Sequence, residues 1–282
     1  MKGFVEGDEK LFTWEYRKGQ TFKPGEHRQS NPRRLSIGRP AATRDYYAYP
    51  DATDDADFER IENLLQSYEK PANLILARLR TLKTITVDDK RLFAFYINQM
   101  NRRVPNYRKA LAKNLPKTAA ALEQEVIERF KLPNSEETRE LLQRIRKQTE
   151  SPSYIARVHL NTIAGTGDSK VTDAIAGMKW RFVVTTPELG FITSDNPMFY
   201  FERFGLLNPL SEVSFPISTT VALVASQSAR FRDDYSNASS QLVKELNRRT
   251  ASRASRAAYF HRAESWVQTL LDARRYQFHP LI

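Results

Sequence analysis

Arg181-Phe182-Val183-Val184-Thr185-Thr186, followed by Gly190-Phe191-Ile192-Thr193, Val213-Ser214-Phe215-Pro216-Ile217 and Thr220-Val221-Ala222-Leu223-Val224, is the stretch that decides the fold class. β-Branched and aromatic residues fill these short runs, and Gly, Pro, Asn and Asp separate them, which is the pattern of strands joined by turns. Beyond them the sequence predicts an amphipathic helix from Ser236 to Arg253, a short strand near Tyr259 and a helix through Trp266 and Leu271.

Upstream, the hydrophobic period changes from two to about 3.6 residues. Phe58, Ile61, Leu64, Leu65 and Tyr68 share one face after the acidic segment Asp51 to Asp57. Pro71 kinks or restarts that helix, and Leu74 to Leu82 carries a further one. Thr86-Val87-Asp88-Asp89 caps a long helix starting near Lys90. Two more helices are expected over roughly 117–131 and 135–149, separated by Leu132-Pro133-Asn134. Ser151-Pro152 reads as N-cap and first helical residue of the next, with Gly165 its stop. At the other end, Leu11-Phe12-Thr13-Trp14-Glu15-Tyr16 alternates and Lys18-Gly19 offers a turn before Gln20-Thr21-Phe22, a hairpin. From His27 to Arg44 the chain reads as a basic loop with Arg28, Arg33, Arg34, Arg39 and Arg44, no acid, and Tyr46, Tyr47 and Tyr49 beyond. The expectation is one α+β domain over 1–282: a hairpin and basic loop in 1–50, a helical region in 58–178, and in 179–282 an antiparallel or mixed sheet with two packed helices. No internal repeat is visible.

The 282 residues contain no cysteine, which excludes disulfides, thiolate nucleophiles and cysteine-ligated metal. Acid and glycine in Met1 to Asp8 stand where a signal peptide would need an apolar run, and no segment has the apolar length of a membrane span, so a cytoplasmic address is expected. Lys and Arg exceed Asp and Glu by 44 to 33, a net charge of +11, which makes nucleic acid the partner to test first.

Several polar residues fall where apolar ones are expected. On the helix from Lys90, Leu92, Phe93, Tyr96, Ile97, Met100 and Val104 form a stripe with Gln99 and Arg103 along its edge. Asn247 shares the inward face of Leu242, Val243, Leu246 and Thr250. Glu62 and Glu69 lie two turns apart, about 10 Å by helix rise, along the edge of their own stripe. Thr193-Ser194-Asp195-Asn196-Pro197 sits between two strands, where Asn before Pro avoids the helical region and Ser and Asp can hold backbone amides. A side-chain-capped turn is the commoner meaning of such a block, and a reactive carboxylate the rarer one.

Those same residues carry a likeness. Phe191 to Pro197, Ser214-Phe215-Pro216-Ile217-Ser218, the helix Gln99 to Pro105, Leu246-Asn247, and the order hairpin, basic stretch, Asp45-Tyr46-Tyr47, then Glu62 and Glu69, resemble the bacterial family of unknown function numbered 4238 over nearly the whole chain. The resemblance implies no activity. Members typically open with a histidine pair, a short Val-Pro segment and an aromatic strand ahead of the position of Lys2-Gly3-Phe4; that segment is missing from this sequence, so either its start is placed late or the protein lacks whatever those histidines do.

Three functions fit these residues. A metal-dependent phosphodiesterase or nuclease would bind Mg²⁺ or Mn²⁺ with Asp195 and Glu62 or Glu69, and steady a phosphate with Arg103. Gln99, Asn196 and Asn247 would then bind substrate, together with Arg33, Arg34 and Arg39 of the basic loop. A non-catalytic nucleic-acid or protein-binding module would use that loop, the basic residues Arg102, Arg108, Lys109 and Lys113, and Arg248, Arg249, Arg253 and Arg256, with interleaved tyrosines for stacking. Against that second function, Arg248, Arg249 and Arg256 also read as only the wet face of a core-packed helix. In the third, the inward polar network only fixes the packing, with Arg103 paired to Asp195 or a glutamate and Asn247 bonded to the turn backbone.

Overall fold

The computed structural model describes residues 10–15, 33–36, 55–165, 170–228, 232, 234–273, 277–279 and 281, and only the backbone of 10, 33–36, 55–60 and 62. These residues gather into two compact units: one from the described parts of Met1–Arg44, Ser67–Asn101 and Gly167–Ile282, the other from those of Asp45–Gln66 and Arg102–Thr166. The fold is α+β, with eight helices and two sheets among the described residues.

In the first unit a five-stranded mixed sheet has the order β5 (Phe199–Tyr200), β6 (Glu212–Pro216), β7 (Val221–Ser226), β3 (Lys179–Val184) and β8 (Asp234–Asn237). All its pairings are antiparallel except β3 with β8. Every residue of β7 is buried, which requires cover on both faces of the sheet. Successive strand side chains point to opposite faces, so Trp180, Phe182, Val213, Phe215, Val221, Leu223 and Ala225 meet α2 (Val87–Arg102), α6 (Lys170–Gly177) and the end of α1 (Asp55–Arg80). Val183, Ala222 and Val224 face the other way, onto Val243 and Leu246 of α7 (Ser240–Arg253).

The second sheet joins the two ends of the chain in the order β2 (Arg33–Ser36), β1 (Lys10–Glu15), β9 (Ala257–Phe260) and β4 (Thr193–Ser194), antiparallel throughout. Trp14, Ala258 and Phe260 form its core with Ala251 and Ala254, and with Val267 and Leu271 of α8 (Ser265–Ala273). β2 lies inside the basic stretch that reads as loop, and it is the partner of β1. The expected Lys18-Gly19 turn and the strand Gln20-Thr21-Phe22 lie outside the described residues.

Capping starts α2 three residues before Lys90: Thr86 N–H donates to Asp89 Oδ2 at 2.9 Å and Asp89 N–H to Thr86 Oγ1 at 3.1 Å. α1 runs unbroken through Pro71. The second unit carries α3 (Pro105–Phe130), α4 (Glu136–Thr149) and α5 (Pro152–Ala164). α3 is longer than the sequence suggests because it accommodates Pro116. Ser151 caps α5 by accepting the Tyr154 N–H, and Gly165 ends it. Among the described residues no helix is long and apolar enough to cross a membrane.

Candidate functional site

The block around Asp195 is stitched to the start of β9. Asp195 N–H donates to Ala257 O at 3.1 Å. Its carboxylate receives the Ser255 N–H on Oδ1 and the Arg256 N–H on Oδ2, each at 2.8 Å. Those two amides follow the end of α7, where backbone groups have no helical partner, so one side chain fixes how α7 hands over to β9. Burial nonetheless pushes the Asp195 carboxyl above its ordinary value, against the pull of these donors. Burial and the neighbouring Asp195 charge push the Tyr259 phenol upward.

Asn247 faces inward and is buried. It accepts the Ile192 N–H on Oδ1 and donates Nδ2 to Gly190 O, both at 3.0 Å, as a neighbouring strand would. Gly190 is needed there: a Cβ would come within 2.7 Å of the buried Phe260 ring.

Gln99 and Asn196 differ from Asn247. Both are buried, and neither side-chain atom of either amide has a hydrogen-bond partner among the described residues. Only the Asn196 backbone is held, its N–H donating to Ser194 Oγ at 3.2 Å. Buried amides normally find partners, so these two side chains have unused capacity, as do the buried hydroxyls of Thr13, Thr185 and Ser211 among the described residues.

The remaining sequence candidates are dispersed. Glu69 is half-buried on α1 in the first unit, and Arg103 is half-buried in the second, at the turn from α2 to α3. The side chains of Glu62, Arg33 and Arg34, and all of Arg39, lie outside the described residues. Among the described residues no group of three or more His, Asp or Glu side chains is placed to hold a cation.

Arg249 corrects both of its sequence readings, because it is neither a phosphate contact nor a wet-face residue. It is wholly buried, donating Nη1 to the equally buried Glu212 at 3.0 Å, Nε to Glu245 at 3.2 Å and Nη2 to His279 O at 2.9 Å. Its guanidinium lies over Phe199 and Phe201. The other Glu212 oxygen takes the Leu281 N–H at 2.6 Å, so the pair also anchors the C-terminal segment. A signal was present: Arg249 falls at i+7 from Leu242 and i+3 from Leu246, on the apolar stripe of α7.

In the second unit, residues 102–122 hold no acid but carry Arg102, Arg103, Arg108, Lys109, Lys113 and Lys117. Lys109, Lys113 and Lys117 are all exposed and recur every four residues on α3, a ridge with about 6 Å between steps. α5, packed on α3 through Tyr107 and His159, is also acid-free. Arg102 is fixed by its Nη1 donating to Thr162 O at 2.8 Å. His159 Nε2 lies 2.7 Å from Arg102 O and therefore carries the proton that it donates. Burial and then the positive Arg108 hold the His159 imidazole below its ordinary value, so the ring stays neutral within a basic surface.

A family model described as a protein of unknown function (DUF4238) matches residues 21–264. No curated protein and no solved structure matches the chain.

Proposed function

We propose, from the premise that the chain belongs to the DUF4238 family of proteins of unknown function, that it binds nucleic acid through the basic surface of α3 and α5. The observation that carries this is the acid-free run 102–122 with its exposed ridge Lys109, Lys113 and Lys117. Ammonium groups at regular helical steps follow a phosphate backbone and release its counterions without reading sequence. In this reading Asp195 and Asn247 are structural latches that hold the first unit together. A cysteine-free chain suits a reducing cytoplasm, where such a partner is present.

A second reading, in which the protein also cleaves the bound strand with Mg²⁺ or Mn²⁺, draws on the unpartnered amides of Gln99 and Asn196. Substrate groups would use their four polar atoms, and Asp195 and Glu69, carboxylates of the same unit, would supply ligands to the cation.

Binding of labelled DNA and RNA over a salt series, with and without each cation, tests both. Retention that falls steeply with salt supports the binding function, and flat, weak retention removes it. Shortened product only when a cation is present supports cleavage, and intact strands under every condition remove that second reading alone.

A further inference from the structure

α3 and α4 form a hairpin of 26 and 14 residues in which not one residue is buried. Lys131, in the left-handed region at φ 50°, closes α3, and Ser135 opens α4 by accepting the Thr138 N–H. The bidentate pair of Arg146 with Glu123 bolts the two helices together. Beyond the part of α3 that meets α5, Leu122, Val126 and Phe130 recur every four residues and are exposed, Phe130 by 65% and Leu122 by 55%. Leu141 and Ile145 on α4 are exposed at the same spacing. Each set lies one residue before the positions that face the other helix, Glu123 and Ile127 on α3 and Leu142 and Arg146 on α4. In an antiparallel hairpin of right-handed helices, that offset turns both sets to the same side. The result is a continuous apolar face on a hairpin that has no core of its own.

We infer that this face is the contact between two copies of the chain, which close their hairpins into an intermolecular four-helix bundle. The charges select a second copy as the occupant. The Glu123–Arg146 pair sets the level of the two helices, so that Glu125, flanking the apolar face on α3, lies level with Arg144, which flanks it on α4. A two-fold axis along the hairpin lays α3 of one copy on α4 of the other. It brings Glu125 beside Arg144 of the second copy, and repeats the contact by symmetry. Each rim thus supplies the charges that the other needs, and the five apolar side chains of each hairpin fill the middle. The Lys109, Lys113 and Lys117 ridge points away from this face, on roughly the opposite side of α3, so the dimer would carry two outward ridges.

Sedimentation equilibrium of the full chain tests the inference independently of any nucleic acid. The expected result is a mass twice the 32.6 kDa of one chain. Leu122→Glu with Leu141→Glu should return the single-chain mass with the low-temperature circular-dichroism spectrum of a folded chain retained, since neither residue is buried within one chain. Glu125→Arg should weaken association at least tenfold, and adding Arg144→Glu should restore it. A wild-type chain that stays at the single mass up to near-millimolar concentration overturns the inference, and so does a double-Glu variant that still sediments as a dimer. A face reserved for a different protein gives the first of these outcomes.

Discussion

Glu212 on β6 and Arg249 on α7 meet at 3.0 Å with neither side chain exposed to solvent. Truncating one partner leaves the other charge buried and unpaired, which costs about 3–5 kcal/mol, whereas replacing both with apolar residues of similar volume is often near neutral. Arg249→Ala should therefore lower the urea midpoint sharply, and Glu212→Leu with Arg249→Met should recover most of the loss. Equal losses in the single and double variants would contradict the pairing.

Asp195→Ala removes the acceptor for two backbone N–H groups, one half-buried and one exposed, and is expected to cost about 1–3 kcal/mol. pH gives a sharper check. The folded carboxyl sits above the ordinary 3.8 because burial opposes its charge, so the unfolded chain releases this proton first as pH rises. The contribution is full below the unfolded value and is lost as pH climbs through the raised folded value. The stability of wild type relative to Asp195→Asn should thus shrink across that window and then level off. A difference that grows with pH would show that the carboxyl is not raised.

Gly190→Ala forces a methyl against the ring of Phe260, and Asn247→Ala strips partners from Ile192 N–H and Gly190 O. The first should cost about 1–3 kcal/mol by overpacking, the second about 2–4 kcal/mol by orphaning two backbone groups. Both variants should speed hydrogen exchange at Ile192 first. Loss confined to distant helices would argue against the latch.

Much of this architecture was legible where a local rule governs it. Ser151-Pro152 and Gly165 bracket α5, Thr86 and Asp89 cap α2, and the short uninterrupted apolar run Val221 to Val224 makes β7 a buried strand. What escaped depends on partners far along the chain. Only tertiary pairing makes Arg33–Ser36 a strand, and β1 finds β9 across more than two hundred residues. Asp234–Asn237 is too polar to advertise an edge strand, and the helix expected over roughly 117–131 begins at Pro105 because α3 runs through Pro116. At the candidate site the inward position of Asn247 was readable from helical spacing. Arg249 shares that face, but a charged residue on a basic helix reads as surface unless its partner is known, and Glu212 lies 37 residues away.

The central claim is that the ridge on α3 contacts phosphates. The most direct measurement is the slope of log binding constant against log salt concentration for wild type and for Lys109→Ala/Lys113→Ala/Lys117→Ala. Each lost contact should reduce the slope by about 0.9 on duplex and about 0.7 on single strands, so a total reduction of about 2–3 is expected, with folding unchanged. An unaltered slope in the triple variant, or a wild type whose affinity ignores salt, would contradict it.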